Sequence, residues 1–159
     1  MELRGPYRYQ IAVRGDSYAV TNELGGATFL VPVRGPGPKL YTFSTAGRLV
    51  YVGKTVRSMR ARMRLGFKAK GAHGYYGYDW RHALARTDLH IWCLGETAKD
   101  TEALSLECIE AEVAFLCRSV YGQWPLYQTE IHFHESTQEH RDLARRVFAL
   151  FVPQQHARD

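Results

Sequence analysis

The chain has 159 residues, 45% hydrophobic and 23% charged, which suits one folded domain with a real core and argues against disorder. Nothing approaches the roughly 18 apolar residues of a membrane span, and no signal-peptide core opens the chain, so a cytoplasmic protein is expected. The formal net charge of +5 favours anionic partners without proving one. Its distribution says more. Arg48 is followed by Lys54, Arg57, Arg60, Arg62, Arg64, Lys68 and Lys70 with no acid among them, whereas acids gather between Glu96 and Glu112. That separation favours one phosphate-facing side. Cys93, Cys108 and Cys117 lie in apolar surroundings without CxxC spacing, which reads as free thiols in a reducing compartment and not as a zinc site. Only the ends, the first few residues and 154–159, are expected to be disordered.

In chain order, "YRYQIAVRG" (7–15) and "ATFLVPVRG" (27–35) alternate around the turn-rich "VTNELGG", which predicts an N-terminal β-hairpin. "GPGPK" (35–39) then breaks the chain, because its prolines remove backbone donors, and it divides an N-terminal β extension (1–38) from a main unit (39–159) within one compact domain. "LYTFS", the turn "TAGR" and "LVYVG" predict a second hairpin. Residues 55–67 place Met59, Met63 and Phe67 at four-residue spacing after a Ser/Thr start, which predicts a helix. The glycines and aromatics of 66–80 read as a loop, 88–95 as a strand, and 97–120 as the longest helix, ended by "GQWP". "TEIHFH" (129–134) is a candidate short strand, and Ser136 with Glu139 forms a capping box opening a C-terminal helix. The order predicts an α+β domain with a small, mostly antiparallel sheet flanked by helices.

Tyr41 and Tyr51 fall on adjacent strands of the second hairpin, where both can face one side near its middle. Gly53 permits a tight turn into the next segment, and Lys54 and the following arginines then project towards the tyrosines. A phenol to relay a proton, with an ammonium and a guanidinium to stabilise developing negative charge, suits phosphodiester chemistry. The loop 68–82 mixes cations with aromatics, as single-strand binders do. Read that way, Lys68, Lys70, His73 and Arg81 touch backbone while Tyr75, Tyr76 or Tyr78 touch bases; read plainly, the loop's tyrosines pack back on the domain. Arg57, Arg60 and Arg64 join the candidate nucleic-acid contacts as part of the arginine-rich helix, which on its own would read as a solvated face. "HFHE" (132–135) resembles a ligand set but lacks a third ligand at familiar spacing.

"KLY" ten positions before "YVG", then "KT", then "SMRARM", resembles the GIY-YIG nuclease family, over about Lys39 to Gln128. The resemblance implies a three-stranded antiparallel core and a divalent-metal-dependent DNA endonuclease. By position, Tyr41 and Tyr51 match the motif tyrosines, Gly53 its glycine and Lys54 the lysine after it. Arg62 matches the helix arginine, with Arg60 its rival. The family glutamate is matched by Glu112, Glu110 or Glu107; Glu112 is favoured because Ile109, Phe115 and Leu116 surround it at helical spacing. The sequence departs from the family at Lys39, where glycine is usual, at Gln128, where asparagine is usual, and at Gly66, where some members carry a histidine one turn after the arginine. His73 and His82 are the loop histidines that could substitute for it.

The implied chemistry is hydrolysis with one Mg²⁺ or Mn²⁺ held by Glu112, Tyr41 assisting deprotonation of water, Tyr51 nearby, and Arg62 and Lys54 neutralising charge, to leave a 5′-phosphate and a 3′-hydroxyl. A site-specific restriction-type enzyme, which would dimerise to cut both strands, is the favoured role. A structure-specific repair nuclease is the alternative, and a binding module that has lost activity is the alternative of another class. DNA specificity would come from the N-terminal hairpin, the 66–80 loop and the C-terminal helix.

Overall fold

The computed structural model describes residues 1–95 and 100–153; the expected disorder of 154–159 lies outside the described residues. The fold is α+β, a five-stranded antiparallel sheet with three α-helices. The elements are β1 (Leu3–Arg14), β2 (Ser17–Asn22), β3 (Lys39–Thr45), β4 (Arg48–Thr55), α1 (Met59–Lys68), β5 (Arg86–Leu94), α2 (Asp100–Tyr121) and α3 (Gln138–Phe148). The strand order is β2-β1-β5-β3-β4. Because β1 pairs with β5 from Leu3↔Leu94 to Ala12↔Arg86, residues 1–38 extend the same sheet as the second hairpin.

The first hairpin turns earlier than the sequence suggests. Gly15 and Asp16 form a two-residue loop, with Gly15 at φ +59°, a conformation glycine adopts without a Cβ penalty. "ATFLVPVRG" is then not a strand but a run of turns that drops Phe29 and Val33 into the core. The second hairpin turns at Ala46 and Gly47, both at positive φ, as the sequence predicts. Residues 129–136 form no strand. The C-terminal helix is capped one residue later than expected: Thr137 Oγ1 accepts from the His140 N–H, and His140 Nδ1 accepts from the Thr137 N–H. Glu139 is thereby free to pair with the Met1 ammonium at 2.6 Å, which ties down an N-terminus expected to be loose.

Two cores lie on opposite faces of the sheet. On one, Leu40, Val52, Trp92 and Leu94 pack against α2 and α3. On the other, Tyr41, Phe43, Leu89 and Ile91 pack against Met59, Met63 and Phe67 of α1 and against Tyr78 and Trp80 of the following loop. Met59, Met63 and Phe67 are the four-residue stripe read from the sequence, so period sets which side of α1 meets the sheet. Ser58 caps the helix by accepting from the Ala61 N–H at 3.2 Å. The three cysteines are buried free thiols.

Lys39 is only 1% exposed, although it begins an ordinary-looking strand. Burying an ammonium is costly unless its protons are met. Here the Nζ donates to Gly35 O at 2.7 Å, Gly37 O at 2.9 Å and Arg57 O at 3.1 Å, which accounts for all three donors. Burial lowers its pKa. Lys39 is therefore a structural clamp on the "GPGP" segment and on the entry to α1.

Gly66, inside α1, faces the ring of Tyr78, and a Cβ there would enter the ring's contact distance. Helix propensity alone predicts that Gly66→Ala stabilises by about 1 kcal/mol. Because Tyr78 is 1% exposed and cannot move aside, the substitution is expected to destabilise by about 1–3 kcal/mol instead, read as a lower urea midpoint.

Candidate active site

A cleft of about 1050 Å³ opens beside edge strand β4, between the α1–loop layer on one face and α2 on the other. Tyr51, Lys54, Arg62, Glu107 and Glu110 line it, along with loop residues on one rim and Thr129, Glu130 and His132 on the other. No helix among the described residues is long and apolar enough to cross a membrane.

The tyrosines share a face because of register. Tyr41 sits opposite Gly53 and Phe43 opposite Tyr51, so Tyr41 and Tyr51 are diagonal neighbours, with ring centroids 6.1 Å apart. Gly53 is required for space and not for a turn. It lies within β4, and a Cβ there would come within 2.7 Å of the Tyr41 phenol and 2.8 Å of the Tyr51 ring. The two tyrosines differ in access. Tyr41 is fully buried and does not line the cleft, whereas Tyr51 does.

Tyr41 instead holds the arginine. Its hydroxyl accepts from Arg62 Nε at 2.8 Å and from the Tyr78 hydroxyl at 3.1 Å. Arg62 also lies over the rings of Tyr75 and Tyr78, at 5.5 and 5.6 Å. With Nε engaged, its terminal nitrogens are left for the cleft it lines. Burial raises the Tyr41 phenol well above its usual range, with Tyr78 adding to the shift and Arg62 opposing it. Burial likewise raises Tyr51 well above the usual range. Both phenols stay protonated near neutrality, so they work as hydrogen-bonding groups and not as tyrosinates. Arg60 lines a neighbouring groove, which leaves Arg62 as the arginine that α1 gives to the cleft.

The candidate glutamates of α2 differ in what they face. Glu112 does not line the cleft; Glu107 and Glu110 do. At 100° per residue Glu110 falls in line with Leu106, Val113 and Cys117, all buried, and Glu112 lies about 200° from it. Phe115, used to place Glu112 on the apolar face, is 49% exposed. Glu110 makes no hydrogen bond or ion pair with the described residues, and burial pushes its pKa up to about 7, with Lys54 pulling it down and Glu107 pushing it up. Glu107 is engaged, by Lys54 Nζ at 3.6 Å and His134 Nε2 at 3.1 Å.

Other sequence-predicted residues divide clearly. Lys68, Lys70, Arg81 and His82 line the cleft; Arg57 and His73 are exposed outside its lining. Arg81 serves the fold as well: its terminal nitrogens donate to Gly66 O and, at 3.0 Å, to Ala69 O at the end of α1. Tyr78 is buried and cannot stack on a base, whereas Tyr76 is 64% exposed. Gln128 pairs with the backbone of β4, accepting from the Val52 N–H at 2.9 Å and donating to Val52 O at 3.0 Å, and so holds the 129–132 rim in place. His132 pairs with Glu130 at 3.1 Å, and α3 stands away from the cleft. Tyr78 as an anchor was invisible locally, since its partner Tyr41 is 37 residues away. The phase of Glu110 was present in the sequence.

Among the described residues no group of three or more His, Cys, Asp or Glu could cage a metal ion. A desolvated, unpaired Glu110 on a cleft wall fits a different arrangement, a hard divalent cation that keeps most of its ligands as water and substrate oxygens. No protein-family model matches the chain, and no curated protein or solved structure is significantly similar to it.

The raised Glu110 pKa has a sign for stability. The folded state holds this proton up to about pH 7 while the unfolded chain releases it near the ordinary carboxyl value of 4.5, so the contribution is full below pH 4.5 and is lost as pH rises through 7. Glu110→Gln is expected to be more stable than wild type at pH 8, by on the order of 2 kcal/mol, with the difference closing towards pH 4 in parallel denaturation series.

Proposed function

We propose that the protein is a divalent-metal-dependent DNA endonuclease, with the cleft beside β4 as its active site. One observation carries the reading. Arg62, fixed by a buried tyrosine, converges with the Tyr51 phenol, Lys54 and the desolvated Glu110 on a single cleft. The antiparallel β4-β3-β5 unit with α1 laid across it also supports the resemblance to the GIY-YIG nucleases carried by Tyr41, Tyr51, Gly53, Lys54 and Arg62.

In this reading Glu110 holds a Mg²⁺ or Mn²⁺, which when bound supplies Lewis-acid stabilisation of the scissile phosphate. Tyr51 positions the attacking water as hydrogen-bond partner, its phenol remaining protonated. Water adds to phosphorus as the bond to the leaving oxygen breaks; one of the water's protons ends on that oxygen, as the new hydroxyl, and the other stays with the new phosphate, so no protein group changes its proton count over the reaction. Arg62 stabilises the charge that builds on the phosphoryl oxygens, and its geometry needs no reorganisation because Tyr41 and Tyr78 already hold it. Lys54 adds positive charge and keeps Glu107 occupied, so Glu110 is the carboxylate free for the ion. Tyr41 is thus a positioning residue here, and Glu112 has no part.

The test is cleavage of supercoiled plasmid and of a branched oligonucleotide with Mg²⁺ or Mn²⁺, against a chelator control. Glu110→Gln and Arg62→Ala are expected to lower the rate by roughly 10²-fold or more, and Glu112→Gln to leave it nearly unchanged. Discrete plasmid fragments would mark site-specific restriction; nicking only of the branched DNA would mark a structure-specific enzyme. DNA binding with no cleavage by wild type under any condition would replace the nuclease with a binding module.

A further inference from the structure

Next to the cleft lies a second groove of about 500 Å³ that the proposed chemistry does not use. Its walls are β2 of the first hairpin and the outer side of α1, with Tyr18 and Phe29 opposite Arg60 and Arg64. Asp16, Phe67 and Lys68 line both cavities, so the groove lies directly beside the cleft. Arg60, Arg64 and Lys68 recur every four residues, which puts one cation on each successive turn, about 6 Å apart along the helix. All three are exposed, and none forms an ion pair with the described residues. Opposite them β2 offers mostly neutral side chains and one half-buried aromatic, Tyr18, packed on Phe67 with centroids 5.2 Å apart.

We infer that this groove binds a single, unpaired DNA strand leading into the cleft, so that the substrate carries a single-stranded flank beside the scissile phosphate. The inference rests on the nuclease reading and names its substrate class. A regular row of unpaired cations matches the repeating charge of one backbone, which a compact anion would not need. A cationic wall facing an aromatic is the arrangement by which proteins hold single strands, the cations tracking phosphates and the ring stacking on a base. Tyr76, 64% exposed, lines the adjoining cleft and offers a second accessible ring there.

Binding in chelator, where no cleavage occurs, tests this separately from catalysis. The probes are a labelled forked oligonucleotide with a long single-stranded arm, the same fork with the arm removed, and a blunt duplex, each measured by fluorescence anisotropy over a salt series. Wild type is expected to prefer the long-armed fork. The double variant Arg60→Ala/Arg64→Ala is expected to bind it roughly tenfold more weakly, with a log–log salt slope shallower by about 1.4, and to bind the blunt duplex nearly as wild type does. Because both side chains are exposed, near-wild-type duplex binding also reports an intact fold. Unchanged affinity for the long-armed fork, or equal losses on fork and blunt duplex, would overturn the single-strand groove. Absence of cleavage in the metal-containing assay would instead count against the nuclease reading and leave the binding result standing.

Discussion

A single hydrogen bond between two buried-side groups organises this molecule: Arg62 Nε donates to the hydroxyl of a tyrosine that water never reaches. An arginine on the underside of a helix carries a charge the core would reject, and the Tyr41 hydroxyl, backed by Tyr78, gives it a fixed partner. Everything around that contact is shaped to permit it. Gly53 leaves room for the Tyr41 ring on the neighbouring strand, and Gly66 leaves room for Tyr78 beneath the helix. The helix, the hairpin and the loop after the helix are locked into one arrangement, and the guanidinium is delivered to the cleft with little freedom left to lose.

The opposite wall depends on a different kind of constraint. β4 is the last strand of the sheet, and an edge strand has unpaired backbone groups. Gln128 uses its amide as a surrogate strand against Val52, and the Tyr127 N–H donates to Val50 O at 2.9 Å. That pairing covers part of the edge and brings the following segment round to face Tyr51. With α2 packed near the same edge, Glu110 reaches from the α2 side to a cleft whose other wall is α1. The carboxylate and the guanidinium thus come from opposite layers of the domain, held apart by the sheet and brought together at its border.

Much of this was legible in the residues. The second hairpin, the methionine stripe of α1 and strand β5 follow from period and turn chemistry, because each is decided by neighbours a few positions away. The differences between sequence and structure share a cause. "ATFLVPVRG" alternates well enough for a strand, but the glycine at position 15 turns the chain sooner and leaves that stretch without a strand partner. Counting apolar neighbours three and four positions away favours Glu112, whereas the summed phase of the buried Leu106, Val113 and Cys117 favours Glu110, which lines the cleft. Tyr78, Gln128 and Arg81 owe their roles to partners far off in sequence, and no local pattern marks such contacts.

The Lys39 ammonium carries a consequence for what counts as the smallest foldable piece. The β4-β3-β5 unit, α1 and α2 contain every residue of the candidate cleft's catalytic set, which suggests a core that could be cut free at the "GPGP" segment. The lysine forbids it. Two of the three carbonyls that accept its protons, those of Gly35 and Gly37, belong to the segment that would be discarded, and the third, of Arg57, leads into α1. Severing the chain there would strand a charge in the interior at the doorway of the arginine helix, while β5 lost its neighbour β1 and gained a bare edge. The hairpin that begins the chain is therefore no appendage: shape, charge balance and sheet continuity make it inseparable from the part that would do the chemistry.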